Sequence, residues 1–163
     1  MDATFPKMPM TVPASPALPP KRLRVLLLDD DKFALDILAD MLADLGSFDV
    51  RCESEARYAL RALAVEPPDL LICDLSMPDM DGIEFMQAAA DAHFKGSVML
   101  LSGVDEGVRR AAERLARANG LRVVGAYKKP ITTSELGAAL AGLLGAPAAA
   151  GGNAHNVTTL SGK

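Results

Sequence analysis

Residues 70–82 read LLICDLSMPDMDG and join an apolar run to a loop rich in aspartate, proline and glycine. Pro67-Pro68 precedes the run, and this pattern is typical of a short strand buried on both faces of a parallel sheet. Asp74 ends the run, so its carboxylate is expected at the carboxyl end of a strand, where open α/β sheets bind ligands. The stretch therefore predicts a parallel α/β fold with a functional acid at one edge of its sheet.

Four other apolar runs alternate with segments whose apolar residues have helical spacing. The predicted strands cover residues 23–28, 48–52, 70–74, 97–101 and 123–127. The first predicted helix ends at Gly46. The other four cover residues 55–65, 82–92, 106–119 and 133–144. Five strand–helix units in strict alternation predict a parallel sheet with right-handed crossovers and helices on both faces. This pattern alone leaves the strand order open.

The spacing of apolar residues predicts which side chains two of the helices bury. The first is expected to bury a stripe spaced as in an amphipathic helix: Ala34, Leu38, Met41, Leu42 and Leu45. Gly46 is expected to end it in the left-handed conformation that glycine favours. The fourth is expected to bury four apolar residues: Val108, Ala111, Ala112 and Leu115.

Composition excludes several classes of protein. The 163 residues are 50% hydrophobic but only 4% aromatic, and the net charge of −4 leaves no basic surface for direct nucleic-acid binding. No run approaches the roughly 20 apolar residues that span a bilayer. Cys52 and Cys73 fall in predicted strands without metal-type spacing, so both are expected to be reduced and buried, as in a cytoplasmic protein.

The chain divides into three parts. Residues 1–21 are rich in proline and lack a continuous apolar segment, which predicts a disordered N-terminal segment rather than a secretory signal. Residues 22–145 predict one domain of ordinary size. Residues 146–163 begin with alanine and glycine and predict a flexible tail or linker.

Polar residues follow four of the five predicted strands. Asp29 and Asp30 follow the first, Ser102 the fourth and Lys129 the fifth, while Asp74 follows the third. Carboxylates brought to one edge of a sheet suit a hard divalent cation and phosphate chemistry. Each residue also has an ordinary interpretation. An aspartate at the end of a strand often caps the next helix, and we favour this role for Asp31. Aspartates in a turn, such as Asp79 and Asp81, often only form the turn, and a lone lysine such as Lys128 is usually solvated.

Taken together, four motifs resemble the receiver domain of two-component response regulators. They are residues 25–31 (VLLLDDD), 74–82 (DLSMPDMDG), 100–103 (LLSG) and 128–130 (KKP). The resemblance spans nearly all of residues 23–144. It implies a flavodoxin-like doubly wound fold whose five-stranded sheet has the order 2-1-3-4-5.

The resemblance also implies a chemistry. A sensor histidine kinase or a phosphotransfer protein would donate a phosphoryl group to the carboxylate of Asp74, and Ser102 and Lys129 would contact that group. A Mg²⁺ ion would remove the repulsion between the acids. The resemblance assigns it these ligands: Asp29 (chiefly through water), Asp30, Asp74 and the backbone carbonyl of Ser76.

One position departs from the family pattern. The family's switch aromatic is replaced by Ala126, and Tyr127 lies one residue later, where strand alternation turns it to the other face. Either signalling relies on the Ser102 loop and the fourth helix, which we favour, or Tyr127 substitutes for the aromatic from its shifted position. The output or partner surface is expected on the fourth helix, fifth strand and fifth helix. Four arginines of the fourth helix make either a basic face or a merely solvated one: Arg109, Arg110, Arg114 and Arg117. The sequence leaves open whether the protein is a monomer or a homodimer.

Three other functions compete with a signalling switch. A haloacid-dehalogenase-like phosphatase needs a second aspartate where this chain has Ser76, and a flavin-binding flavodoxin needs a Ser/Thr/Gly-rich loop after its first strand. A receiver-like module used only for binding stays open because of Ala126. The chain is expected to act on no substrate but its own Asp74, and it is either a stand-alone receiver or the front of a longer regulator, such as a cyclic-di-GMP phosphodiesterase.

Overall fold

The computed structural model describes residues 21–145. The expected N-terminal segment, apart from Lys21, and the expected tail at 146–163 lie outside these residues. The strands are β1 (Leu23–Leu28), β2 (Phe48–Glu53), β3 (Leu70–Asp74), β4 (Ser97–Ser102) and β5 (Arg122–Lys128). The helices are α1 (Lys32–Leu45), α2 (Ala56–Val65), α3 (Gly82–Asp91), α4 (Glu106–Ala118) and α5 (Thr133–Gly145).

All strand pairs are parallel, and the sheet has the order β2-β1-β3-β4-β5. This confirms the doubly wound fold and the order implied by the resemblance. Strand alternation divides the core into two layers. Val25 and Leu27 of β1 face α1 and α5, whereas Leu26 and Leu28 face α2, α3 and α4. β1 and β3 are central neighbours, so their carboxyl ends lie side by side.

The loops that leave the carboxyl edge of the sheet are held by local contacts. Asp31 caps α1 by accepting a hydrogen bond from the Phe33 backbone N–H at 2.9 Å, which confirms its expected role. Asp81 caps α3 in the same way. Gly82 lies so close to the β3–α3 loop that an added Cβ would be 2.5 Å from Leu75 Cα. A side chain at this position would therefore push the loop away from the sheet.

The expectation for α1 was partly wrong. The buried residues are Leu35, Leu38 and Leu42, whereas Leu45 is exposed. Gly46 ends the helix by donating its N–H to the Leu42 carbonyl, but its φ of 163° is extended rather than left-handed. The chain enters β2 two residues later, so an extended residue suits this junction better than a left-handed turn.

The expectation for α4 was also partly wrong. Val108 and Leu115 are 48% and 43% exposed, and Ala111 is exposed as well. Of the four expected residues only Ala112 is buried, and it packs together with Ala116 against the sheet. Small side chains let a helix approach a sheet closely, and this packing places the larger apolar residues on the outside. The result is an apolar strip on the surface of α4.

The two cysteines differ from each other. Cys73 lies in the central strand β3 and is buried as expected, but Cys52 lies in the edge strand β2 and is exposed. Both are free thiols. The expectation that both are buried was wrong for Cys52, because β2 borders only β1 and one side of it remains open to solvent.

Strand alternation in β5 agrees with the sequence. Ala126 packs against the core layer under α4, and Tyr127 packs against the opposite layer under α5. The register of β5 with β4 shifts between Val98 and Met99. Ala126 and Tyr127 lie beyond this shift and pair regularly with Leu100 and Leu101. The ring of Tyr127 therefore lies on the face opposite to the one that an aromatic at position 126 would occupy.

Candidate functional site

Three carboxylates converge at the carboxyl edge of the sheet. One oxygen from each of Asp29, Asp30 and Asp74 lies within 4.8 Å of the others. The register explains this arrangement, because Leu28 pairs with Cys73 and the next residues of β1 and β3 are therefore adjacent. Asp29 and Asp74 are buried, while Asp30 is exposed and forms the side of the cluster that is open to solvent.

Backbone groups orient the two buried carboxylates. Asp29 Oδ1 accepts a hydrogen bond from the Asp31 N–H at 2.9 Å. Asp74 Oδ1 accepts one from the Ser76 N–H at 3.0 Å. The Leu75 N–H donates to the Leu101 carbonyl at 2.9 Å, which holds the chain after Asp74 against β4.

Lys129 places its ammonium group between the buried acids. Its Nζ lies 2.5 Å from Asp29 Oδ2 and 3.2 Å from Asp74 Oδ2. The backbone N–H of Lys129 donates to the Ser102 carbonyl at 2.9 Å, and the Lys129–Pro130 bond is cis. Lys128 is exposed. The structure therefore separates the two adjacent lysines as the sequence predicts.

Ser102 is fully buried at the end of β4. Its Oγ accepts a hydrogen bond from the Val104 N–H at 3.1 Å, so the hydroxyl hydrogen is free to bond elsewhere. Within residues 21–145 no hydrogen bond joins this hydroxyl to Asp74 or Lys129. The side chain thus lies at the same edge of the sheet as the acids, but it is bonded to the loop that leads into α4.

The electrostatics of the site follow from burial and from opposite charges. Burial raises the pKa of Asp74, and Asp29 adds to this, while the Ser76 N–H and the Lys129 charge oppose it. Burial lowers the pKa of Lys129, but its bond to Asp29 and the charges of Asp74 and Asp29 outweigh burial and raise it overall. The lysine therefore stays charged, and the pKa of Asp74 lies above that of a free aspartate because burial outweighs the opposing contacts.

Two backbone donors were missed in the sequence. These are the N–H groups of Ser76 and Val104, each two residues after the side chain that accepts its hydrogen bond. Aspartate and serine at the start of a loop commonly accept such bonds from the residue two places on. That local pattern is a signal from which both contacts could have been inferred.

The fold and the acidic edge together define a flavodoxin-like α/β protein with a metal-competent carboxylate cluster. A family model described as "Response regulator receiver domain" matches residues 25–141. The chain therefore belongs to the response regulator receiver family, which serves two-component signalling. In the part of the chain that the structure describes, no helix is long and apolar enough to cross a membrane.

Similar proteins agree with this assignment. The chain is 27% identical over 126 residues to a probable chemotaxis protein CheY from Rhizobium etli, with 77% of this chain and 95% of that protein covered. A solved response regulator from Colwellia psychrerythraea is 36% identical with a TM-score of 0.66, covering 76% of this chain and 97% of that one. The receiver domain of a putative response regulator NarL from Mycobacterium tuberculosis is 28% identical, with a TM-score of 0.63 and coverage of 74% and 94%.

Some relatives are much longer than the matched region. A protein-glutamate methylesterase/protein-glutamine glutaminase from Dechloromonas aromatica is 30% identical over 96 residues, which are 58% of this chain but only 27% of that protein. The likeness therefore concerns a part of that relative.

Proposed function

We propose that Asp74 accepts a phosphoryl group from the phosphohistidine of a sensor histidine kinase or a phosphotransfer protein, in a reaction that needs Mg²⁺. The observation that carries this proposal is the contact of the Lys129 ammonium with both Asp29 and Asp74. A buried nucleophile beside a fixed cation is prepared for an anionic substrate, and exposed Asp30 marks the open side of the site.

The reaction would proceed by direct displacement. An oxygen of the Asp74 carboxylate attacks the phosphorus, a P–O bond forms, the P–N bond of the phosphohistidine breaks, and its electron pair returns to the imidazole. Lys129 already lies 3.2 Å from Asp74 Oδ2, so its positive charge is close to the phosphoryl oxygens without further rearrangement. The Ser76 N–H holds the other oxygen and limits rotation of the carboxylate.

The residues present fit a magnesium ion. Asp29, Asp30 and Asp74 offer only oxygen ligands, and their three negative charges are opposed by one ammonium. We assign the ion to these carboxylates together with the backbone carbonyl of Ser76. When bound, Mg²⁺ would neutralise the excess negative charge of these acids and would stabilise the negative charge of the phosphoryl group.

Treatment of the protein with acetyl phosphate tests the proposal. With Mg²⁺ we expect intact-mass spectrometry to show the addition of one phosphoryl group, because acetyl phosphate can replace the protein donor at an open acidic site. With excess EDTA the addition should disappear. Equal modification with and without EDTA would contradict the role of the metal, and no modification under either condition would contradict the proposed reaction.

Replacement of Asp30 by alanine should chiefly weaken Mg²⁺ binding. Asp30 is the exposed member of the cluster, so its loss removes one ligand and one charge without leaving a buried partner unpaired. We expect the Mg²⁺ dissociation constant to rise roughly tenfold or more by titration calorimetry. Asp31→Asn is the matched control, since asparagine retains the helix cap and should leave Mg²⁺ affinity close to that of the wild type. Equal affinities in Asp30→Ala and Asp31→Asn would remove Asp30 from the ligand set.

We further propose that phosphorylation changes the surface formed by α4, β5 and α5. A phosphoryl group at Asp74 offers new acceptors to the free hydrogen of the Ser102 hydroxyl, and movement of Ser102 would pull on Val104. Val104 leads directly into α4, so the displacement would reach the apolar strip of Val108 and Leu115. The partner at this surface would be a protein or an output domain.

Two of the four arginines of α4 are paired with glutamates of the same helix. Arg110 pairs with Glu106, and Arg117 pairs with Glu113. Arg109 is half-buried. Arg114 is exposed and has no ion pair among residues 21–145. We therefore propose that the partner meets the apolar strip of α4 beside a face that keeps only part of the positive charge of its four arginines. This arrangement, together with two free thiols, suits a cytoplasmic signalling module whose chemistry is confined to its own Asp74.

A further inference from the structure

We propose a second binding site, for a small organic phosphate or phosphonate, at the amino edge of the sheet. A cleft of about 580 Å³ opens there, at the end of the strands opposite Asp74. It is lined by the starts of β1, β4 and β5 and by the α2–β3 and α3–β4 loops, and we call it the amino-edge cleft. Its volume lies within the range of about 300–1,000 Å³ that is typical of ligand sites.

The amino-edge cleft is positively charged in a protein whose net charge is −4. Its permanent cations are Arg24, Lys95 and Arg122, and His93 lines it as well. Asp69 is its only acid among the lining residues. Glu66 lies 3.7 Å from Arg24 and Lys21 lies 4.0 Å from Asp69, so the cleft and these two neighbours together carry four positive charges against two negative ones. The excess of two matches a dianion such as a phosphate monoester.

The groups in the cleft are not fully used by the protein itself. Asp69 Oδ2 already accepts the Arg24 backbone N–H at 2.9 Å, so part of its capacity is taken. Arg24 Nη1 lies 3.7 Å from Glu66, but Arg24 Nε is buried and has no hydrogen-bond partner among residues 21–145. A buried donor without an acceptor costs about 1–3 kcal/mol, so Arg24 keeps a hydrogen-bonding capacity that residues 21–145 leave unused.

The loop that forms one wall of the cleft is held in place before any ligand binds. His93 adopts a left-handed φ of 56°, an uncommon conformation that costs energy for a residue with a side chain. The Phe94 N–H donates to the Ala89 carbonyl and the Ser97 N–H to the Asp69 carbonyl, which anchors both ends of the loop. An added Cβ on Gly96 would lie 2.4 Å from the Phe94 ring, so this loop packs tightly. Because this loop is already ordered, binding of a ligand costs less conformational entropy of the protein.

The remaining lining indicates that the ligand also has an apolar part. Leu23, Leu63 and Leu143 border the cleft together with Pro67 and Pro68. The buried Ser97 is the one residue with a hydroxyl group among those that line the cleft. A compact apolar body that carries one phosphate-type dianion would use both kinds of surface. This site depends on none of the residues proposed for phosphorylation.

Phenylphosphonate is a suitable probe, because its C–P bond prevents phosphoryl transfer to Asp74. We titrate phenylphosphonate into the full chain in the presence of EDTA and follow the amide NMR signals. We expect the signals of Leu23, Arg24, Arg122 and residues 93–97 to shift. Methylphosphonate lacks the apolar body and benzyl alcohol lacks the charge, so each should bind at least about tenfold more weakly. Shifts confined to the Asp74 edge, or equal binding of benzyl alcohol, would overturn the proposal.

Two variants test the cationic groups separately. Arg122→Gln and Arg24→Gln should each weaken phenylphosphonate binding roughly tenfold, the loss of one charge-assisted hydrogen bond. Arg122 is exposed, so its replacement cannot unfold the core, and the backbone bond between residue 24 and Asp69 survives the change at Arg24. Arg110→Gln, on the exposed side of α4, is the matched control and should bind as the wild type does. Wild-type affinity in both cleft variants would overturn the site.

Discussion

Replacement of Asp74 by asparagine is expected to abolish phosphorylation by acetyl phosphate. The amide keeps the size of the side chain and its acceptor for the Ser76 N–H, but it has no anionic oxygen with which to attack phosphorus. We expect the rate to fall by about a thousandfold or more, because loss of a nucleophile removes the reaction path itself. Intact-mass spectrometry over a time course measures this directly.

Asp79→Asn provides the matched control, since Asp79 is exposed in the same loop and lies outside the carboxylate cluster. This variant should be modified at the wild-type rate. Peptide mapping of the modified wild type should place the phosphoryl group on Asp74. Modification of Asp74→Asn at a normal rate would show that another residue is the acceptor.

Replacement of Lys129 by alanine is expected to destabilise the protein when divalent ions are absent. The buried carboxylates of Asp29 and Asp74 would then face each other without their shared cation. Removal of one partner from a fully buried ion pair costs about 3–5 kcal/mol, and the partial exposure of Lys129 reduces this to about 2–3 kcal/mol here. Urea unfolding in EDTA measures the loss.

Lys128→Ala is the control for this experiment, because Lys128 is the adjacent residue and is exposed. It should change the free energy of unfolding by less than about 0.5 kcal/mol. Added Mg²⁺ should restore more stability to Lys129→Ala than to the wild type, since the ion would meet three uncompensated acids. Equal stability of the two lysine variants in EDTA would show that the ammonium does not offset the repulsion between the buried acids.

The fold was predictable because its signals are local. Every predicted strand is present, with ends that differ by at most one residue, because short apolar runs bounded by turn residues have few alternatives in an α/β protein. The buried face of α4 was not predictable in the same way. Val108 and Leu115 have the spacing of a core stripe, but the helix packs through Ala112 and Ala116. Which side of a helix meets the sheet depends on how closely the two can approach, and this is a tertiary property.

The candidate site shows the same division. The position of Asp74 beside the other acids was predictable because parallel strands bring their carboxyl ends to one edge. The choice of Lys129 over Lys128 followed from the resemblance, in which the lysine of the site directly precedes the proline. The hydrogen bond from the Val104 N–H to Ser102 Oγ was not foreseen, since it depends on the path of a loop. Cys52 was misplaced for a related reason: an edge strand and a central strand look alike in sequence, and the strand order decides which one is covered.

The contrast between the two thiols has a practical consequence. Cys52 is the only cysteine that a maleimide dye can reach, because Cys73 is enclosed and burial raises its pKa strongly. Burial also raises the pKa of Cys52, so its thiolate forms, and its labelling proceeds, more readily as the buffer is made more alkaline. The adjacent Glu53 carbonyl accepts the Asp29 backbone N–H. A fluorophore attached to the native chain would therefore report on the acidic edge without any engineered residue.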